Sequence, residues 1–352
     1  MADEKQLLND LCSISGIAGR EHQVIEKISQ TVAPWTDETK LNTLGSLIAI
    51  KRGAGPEHPR LMISTHIDEV GFAVSSREGH GFVRIEPRGG IDPKVLPGQI
   101  LHIIGQNETT PAVVCTIPPH LLLQEERKSI LPYEKLLLDT GLDEDDFKKK
   151  INIGDPVVFE PYFKALGGKK IAGKSLDNRA SALVSIKLLE ALQRTKHGWD
   201  ICCVFSTQEE VGAKGAETAA YEVQPSCAIA IDVTFGDQPE VQEPKAYPLG
   251  KAIPVGVGPN FSKPLQKLIF SAADEEGIKV THEPMPYPAG TDASSIQTIK
   301  EGIPTALISI PLRFMHSPLE MVDENDIRSA VRLLQAVVKK LDHDHREGFS
   351  WL

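Results

Sequence analysis

Hydrophobic positions change their spacing several times along the chain. Leu7, Leu8 and Leu11, then Val24, Ile25, Ile28 and Val32, recur at helical intervals and predict two helices on either side of a loop at 16–19. Pro34 ends the second, since proline brings no N–H to a helix interior. Extended segments follow at 39–41, 46–51 and 60–66, separated by turn formers such as Gly45 and Gly53. From Val70 to about Phe163 the texture becomes short and alternating, with strands expected at 71–75, 82–85, 99–104, 112–117 and 156–159. Short helices are expected there at 133–139 and 144–150. After Gly167-Gly168 the rhythm is of helices (178–193, 213–223, 262–276, 324–341) alternating with strands (200–207, 228–233, 279–282, 305–310). That alternation implies a largely parallel sheet covered by helices. The fold class read from the pattern is α/β: a helix-covered mixed sheet built from residues 1–69 and 165–352, interrupted by an inserted β-rich, barrel-like domain at 70–164.

Composition narrows the class without changing the outline. A chain of 352 residues is long enough for two domains and a substantial core. Hydrophobic content of 41% and charged content of 24% are ordinary for a globular protein. The net charge of −10 argues against nucleic acid as a partner, because the run Lys148 to Lys150 is too short to offset repulsion from phosphates. No run of about 18 apolar residues occurs, so no membrane-spanning helix is expected. The acidic start, Met1-Ala2-Asp3-Glu4-Lys5, has no export-signal pattern. The five cysteines form no C-x-x-C pair, which suits a reducing, cytoplasmic setting, with Cys202 and Cys203 as inert core residues.

Candidate chemistry gathers where apolar runs stop. Residues 201–205 end in Ser206-Thr207-Gln208-Glu209-Glu210-Val211-Gly212, and buried carboxylates are unfavourable unless paired or bound to a cation. On a strand the two acids would face opposite ways, so one is expected to face a metal and the other a reacting water. His66 and Asp68 lie two apart at another strand end and share a face, so that one can bind a metal while the other orients it or is itself a ligand. Asp177 stands where a loop enters a helix; it is a good N-cap, worth roughly 1 kcal/mol, and could also bridge two cations. Asp232 ends the run 228–231, and His316 follows the apolar stretch 306–312. Ligands of open α/β sheets gather outside the carboxyl ends of the strands, where all of these fall.

Such a set matches two adjacent cations sharing one carboxylate, and imidazole with carboxylate but no thiolate suits zinc, cobalt or manganese. Cations roughly 3.5–4 Å apart acidify a water between them, and the acid left free would take its proton. Glu209 and Glu210 as the acid pair of a polysaccharide hydrolase is a weaker reading, because such carboxylates flank the bond at roughly 5–9.5 Å. Gly290-Thr291-Asp292 could line a pocket or cap a helix, and Arg313 could meet a peptide carbonyl or form a salt bridge.

Several of these stretches also carry a family resemblance. His66-Ile67-Asp68-Glu69-Val70-Gly71-Phe72, Leu176-Asp177-Asn178-Arg179, Gln208-Glu209-Glu210-Val211-Gly212, Ile231-Asp232-Val233-Thr234, Gly290-Thr291-Asp292-Ala293 and His316-Ser317, in this order, resemble the M42 metallo-aminopeptidases. The resemblance implies two divalent cations per subunit, zinc or cobalt, with His66 and Asp232 on one, Glu210 and His316 on the other, and Asp177 between them. It further implies Glu209 as general base acting on a metal-bridging water, and Asp68 as the support of His66. Implied with it are removal of amino-terminal residues from short peptides and a tetrahedral dodecamer built through the inserted domain. A related two-metal deacylase or carboxypeptidase would use the same inner residues. Residues 120–129 are expected to form a loop reaching toward a neighbouring active site. The chain departs from the family pattern at Ser64-Thr65, before His66, where alanine is commoner, and at Ala180, where a glycine is expected soon after Asn178-Arg179.

Overall fold

The long apolar runs assemble into one eight-stranded sheet, seen in a computed structural model that describes residues 2–54, 59–122, 124, 130–241, 246–344 and 349. Its order is β1 (Glu38–Leu41), β2 (Leu47–Lys51), β12 (Asp200–Ser206), β3 (Arg60–His66), β13 (Cys227–Phe235), β16 (Thr305–Leu312), β14 (Ile253–Val257) and β15 (Val280–Pro284). Strands β12, β3, β13 and β16 run parallel, whereas β1, β2 and β14 join by antiparallel pairing. The sheet is therefore mixed. Every residue of β12 and β16 is buried, as expected of central strands covered on both faces.

Alternation along each strand sorts the side chains between two cores. Ile201, Cys203 and Phe205 pack toward α1 (Ala2–Ser13), α2 (His22–Val32), α4 (Leu176–Leu192), α6 (Lys263–Glu275) and α8 (Glu324–Asp344). Cys202 and Val204 face α5 (Lys214–Val223) and α7 (Asp292–Gln297). Each fully buried Ile, Leu or Phe contributes about 1.5–3 kcal/mol, so the two faces supply most of the drive for this layer. Both Cys202 and Cys203 are free and fully buried, and burial pushes the Cys202 thiol up to about 12.

A second apolar cluster, separate from these, fills a closed barrel of β4 (Gly71–Gly79), β5 (Phe82–Arg88), β8 (Leu138–Asp139), β7 (Thr109–Val114), β6 (Ile100–Ile104) and β9 (Pro156–Phe159). The helix expected at 144–150 is present as α3 (Glu144–Lys150), capped by the Asp143 carboxylate on two backbone N–H groups. That expected at 133–139 is not: a single tight turn at Tyr133–Lys135 leads into β8, which closes the barrel between β5 and β7. A small sheet of β10 (Phe163–Ala165), β11 (Lys170–Gly173) and β17 (Glu320–Asp323) links the barrel side to α8. Of the loop expected at 120–129, Leu123 and residues 125–129 lie outside the described residues. Among the described residues no helix is long and apolar enough to cross a membrane.

Candidate active site

The carboxyl ends of the parallel strands deliver the candidate side chains to one place. His66 closes β3, Asp232 lies on β13, the acid pair follows β12, and His316 follows β16. Asp177 enters from the first turn of α4, where its φ of −78° and ψ of 103° are not helical. Of the two roles its residue type allowed, helix cap or bridge, its carboxylate takes the second position, turned toward two imidazoles. The Asp177–Asn178 peptide is cis, and the Asn178 amide donates to the Ile231 carbonyl at 2.9 Å, tying the segment to β13.

Asp177 stands between the two histidines. Its Oδ1 is 3.2 Å from His66 Nε2 and its Oδ2 is 3.3 Å from His316 Nε2. Asp232 Oδ1 lies 3.5 Å from the same His66 nitrogen, and Glu210 Oε1 lies 3.3 Å from the His316 nitrogen. Both rings are held from behind by carbonyls, Asp68 O at 3.2 Å from His66 Nδ1 and Gly90 O at 2.6 Å from His316 Nδ1. A carbonyl can only accept, so Nδ1 carries the proton and each Nε2 presents a lone pair toward carboxylate oxygens. Lone pairs facing each other at such distances need a proton or a cation between them.

Electrostatics say the same. Although burial opposes a charged ring, Asp232, Asp177 and Asp68 hold His66 well above its usual value. Against burial, Asp177 and Glu210 bring His316 up to about 11. Burial drives Asp232 up to about 6 and Glu209 up to about 10, partly offset in each case by His66. Asp177 goes the other way, held low by both histidines despite its burial. Among the described residues no lysine or arginine pairs with Asp177, Glu209, Glu210 or Asp232. Three overlapping sets have ligand atoms within 4.8 Å of one another and could hold a metal ion: His66–Asp177–Asp232, Asp177–Glu210–His316 and His66–Glu209–Glu210. The donor chemistry fits a divalent cation of the zinc, cobalt or manganese kind.

The acid pair is not on a strand. β12 stops at Ser206, Gln208 has φ +59°, and Gly212 N–H donates to Glu209 O at 2.8 Å, so Glu209 and Glu210 sit in a turn. Opposite-facing strand neighbours are thus the wrong picture, and both acids reach the same cluster. Their difference lies in partners: Glu210 faces His316, whereas Glu209 faces neither an imidazole nor a cation at ion-pair distance. Asp68 also does more than the sequence implied. Its carboxylate is 3.6 Å from His66 Nδ1 but accepts the Glu209 N–H at 2.9 Å and the Glu210 N–H at 3.1 Å.

The family model for M42 glutamyl aminopeptidase matches residues 45–333. The chain belongs to the M42 family. This M42 aminopeptidase, a hydrolase of peptide bonds, is 32% identical to the lysyl aminopeptidase of Pyrococcus furiosus over 96% of its own length and 97% of that protein. Its fold superposes on the TET aminopeptidase of the marine sediment archaeon Thaumarchaeota archaeon SCGC AB-539-E09 with a TM-score of 0.92, at 27% identity, covering 97% of this chain and 98% of that one. The Pyrococcus horikoshii TET1 peptidase, described as assembling into a tetrahedron or a large octahedral shell, matches with a TM-score of 0.85 at 27% identity, over 95% and 99% of the two chains.

Further residues surround the cluster. Asp292 neither caps α7 nor lines the surface: Thr291 caps, while Asp292 is buried and accepts the Ser64 and Ser206 hydroxyls at 2.7 and 2.6 Å. Alanine in place of Ser64 would lack this bond. Gly89-Gly90, at the end of barrel strand β5, press against the site. Gly89 has φ +84°, and a Cβ there would come within 3.1 Å of Glu210 Oε2. Arg313 forms an ion pair with Asp237 at 2.7 Å. A groove of about 800 Å³, lined by Val95, Gln99, Tyr162, Leu166, Phe314 and Leu319 among others, runs beside the His316 loop.

Proposed function

We propose that this M42 aminopeptidase removes amino-terminal residues from short peptides at a two-cation centre. His66 and Asp232 would hold one divalent cation, zinc or cobalt, Glu210 and His316 the other, with Asp177 shared. Two such cations acidify a water and polarise the scissile carbonyl when bound. The chain's own residues supply the rest. Glu209, with no imidazole at ion-pair distance where Glu210 has His316, takes a proton from the attacking water and delivers it to the leaving amine. Asp68 fixes the Glu209 and Glu210 amides, and the Asp68 and Gly90 carbonyls fix each imidazole with Nε2 inward.

The single observation that carries this reading is Asp177, whose two oxygens face two separate imidazoles. We extend the proposal to the assembly: residues 70–164 as an inserted oligomerisation domain on a catalytic domain of residues 1–69 and 165–352, a tetrahedral dodecamer, and a cytoplasmic home. The test is release of p-nitroaniline from free-amine aminoacyl anilides, abolished by chelator and restored by Zn2+ or Co2+. Cleavage of amino-blocked peptides at the same rate would move the activity to a deacylase or carboxypeptidase. Activity unaffected by chelator would sink the two-cation centre.

A further inference from the structure

Glu320 is a buried acid that neither cation binding nor proton transfer uses. It opens β17, opposite Gly173 of β11, the strand that leads into the Asp177 segment, and it is only 2% exposed. Both oxygens are taken by backbone: Oε2 accepts the Asp177 N–H and Oε1 accepts the His316 N–H, each at 2.9 Å. Among the described residues no lysine or arginine pairs with it. A carboxylate buried without a cationic partner is unfavourable, and here two amide donors offset part of that cost.

Both peptide units it holds belong to irregular backbone. Asp177 is non-helical inside the first turn of α4, and His316 has φ +58° with Phe314 at +62°. A left-handed backbone is strained for a non-glycine residue and persists only where neighbours impose it. His66 differs, since its partner in the ladder is Ser206 of β12 and the strand itself places it.

We propose that Glu320 is a positioning residue whose carboxylate ties the His316 loop to Asp177 and so sets cation affinity at Asp177–Glu210–His316, leaving the strand-anchored His66–Asp177–Asp232 set much less dependent on it. The inference rests on the two-cation reading. Glu320→Gln tests it, because the glutamine amide turns a donor toward one of the two N–H groups and only one acceptor remains.

Cation-depleted wild type and Glu320→Gln are titrated calorimetrically with Zn2+, and both are melted in chelator. Wild type takes up two equivalents. The variant takes up one with near wild-type affinity and the other about 10–100-fold more weakly, the usual range for loss of a ligand's supporting bond. Its peptidase activity falls at limiting Zn2+ and recovers in excess, which loss of packing alone would not produce. Two equivalents at wild-type affinity, or equal weakening of both, would overturn the proposal. Fewer than two equivalents in wild type would remove the two-cation reading, and this inference with it. Should the variant fail to fold, amide exchange on wild type decides: slow exchange of the Asp177 and His316 N–H groups supports the clamp, and exchange at the rate of free loop amides overturns it.

Discussion

The candidate centre has two halves built in different ways. His66 and Asp232 belong to adjacent parallel strands in the middle of the sheet, so backbone pairing and a full core place them. Glu210 and His316 belong to loops beyond β12 and β16, and the His316 side chain is 30% exposed. Three acids secure those loops by accepting backbone N–H groups: Glu21 from Gln208 at 3.1 Å, Asp68 from Glu209 and Glu210, and Glu320 from His316 and Asp177. A strand end is fixed by the ladder before any side chain acts. A loop end has to be fixed by specific bonds, and its precision is correspondingly easier to disturb.

The sharpest division between the halves lies within the acid pair. Glu209→Gln should lower kcat on the order of 10²–10⁴-fold while cation content stays at the wild-type level. Glu210→Ala should lose activity and the loop-held cation together. Metal analysis of the purified variants beside their kcat values checks both, and a Glu209→Gln enzyme of full activity would end its assignment as base.

Gly89→Ala attacks the loop half from the barrel side. Its left-handed φ, with a Cβ 2.7 Å from Val70 Cγ1 and 3.1 Å from Glu210 Oε2, should cost roughly 1–2 kcal/mol, read as a lower Tm and a weaker second cation equivalent. An unchanged affinity would mean that the barrel rim does not shape the site.

Removing cations should expose a pH dependence in the same half. In chelator His316 titrates near 11 rather than 6.5, so the stability from its imidazolium is complete below about pH 6.5 and is lost as pH rises through 11. Denaturation midpoints of chelated wild type should fall over that window, and His316→Ala should flatten the slope. The smallest effect is expected at Glu21, which burial raises to about 7 from 4.5. Its favourable contribution is present below about pH 4.5 and disappears through pH 7. Glu21→Gln keeps Oε1 as acceptor for Gly19 and Gln208, so its Tm should match wild type in acid and exceed it by a few degrees above pH 7.

Legibility followed the same division. The long buried strands of the sheet announced themselves as apolar runs, and the ligand-type residues that end them, His66 and Asp232, could be picked out individually. Strand β14 was missed because Pro254 and Gly256 interrupt its pattern, and β17 because Glu320-Met321-Val322-Asp323 is only four residues long. Asp177 could be read as an N-cap or as a bridge between cations, because residue type is all that a sequence offers at a helix entry. Glu320 and Gly89 had no local signal, and Asp292 had one without a partner. Their meaning depends on what lies across from them.

By itself the sequence determined the layers, the β-rich interruption and the residue types that converge, because burial periodicity and ligand chemistry are properties of short stretches. Only the tertiary structure decided that Glu209 and Glu210 share a turn rather than alternate on a strand. It also decided that Asp177 stands between two imidazoles and that three acids bind backbone amides of the ligand loops. Those facts concern groups up to 187 residues apart in sequence, and no local pattern encodes which donor will meet which acceptor.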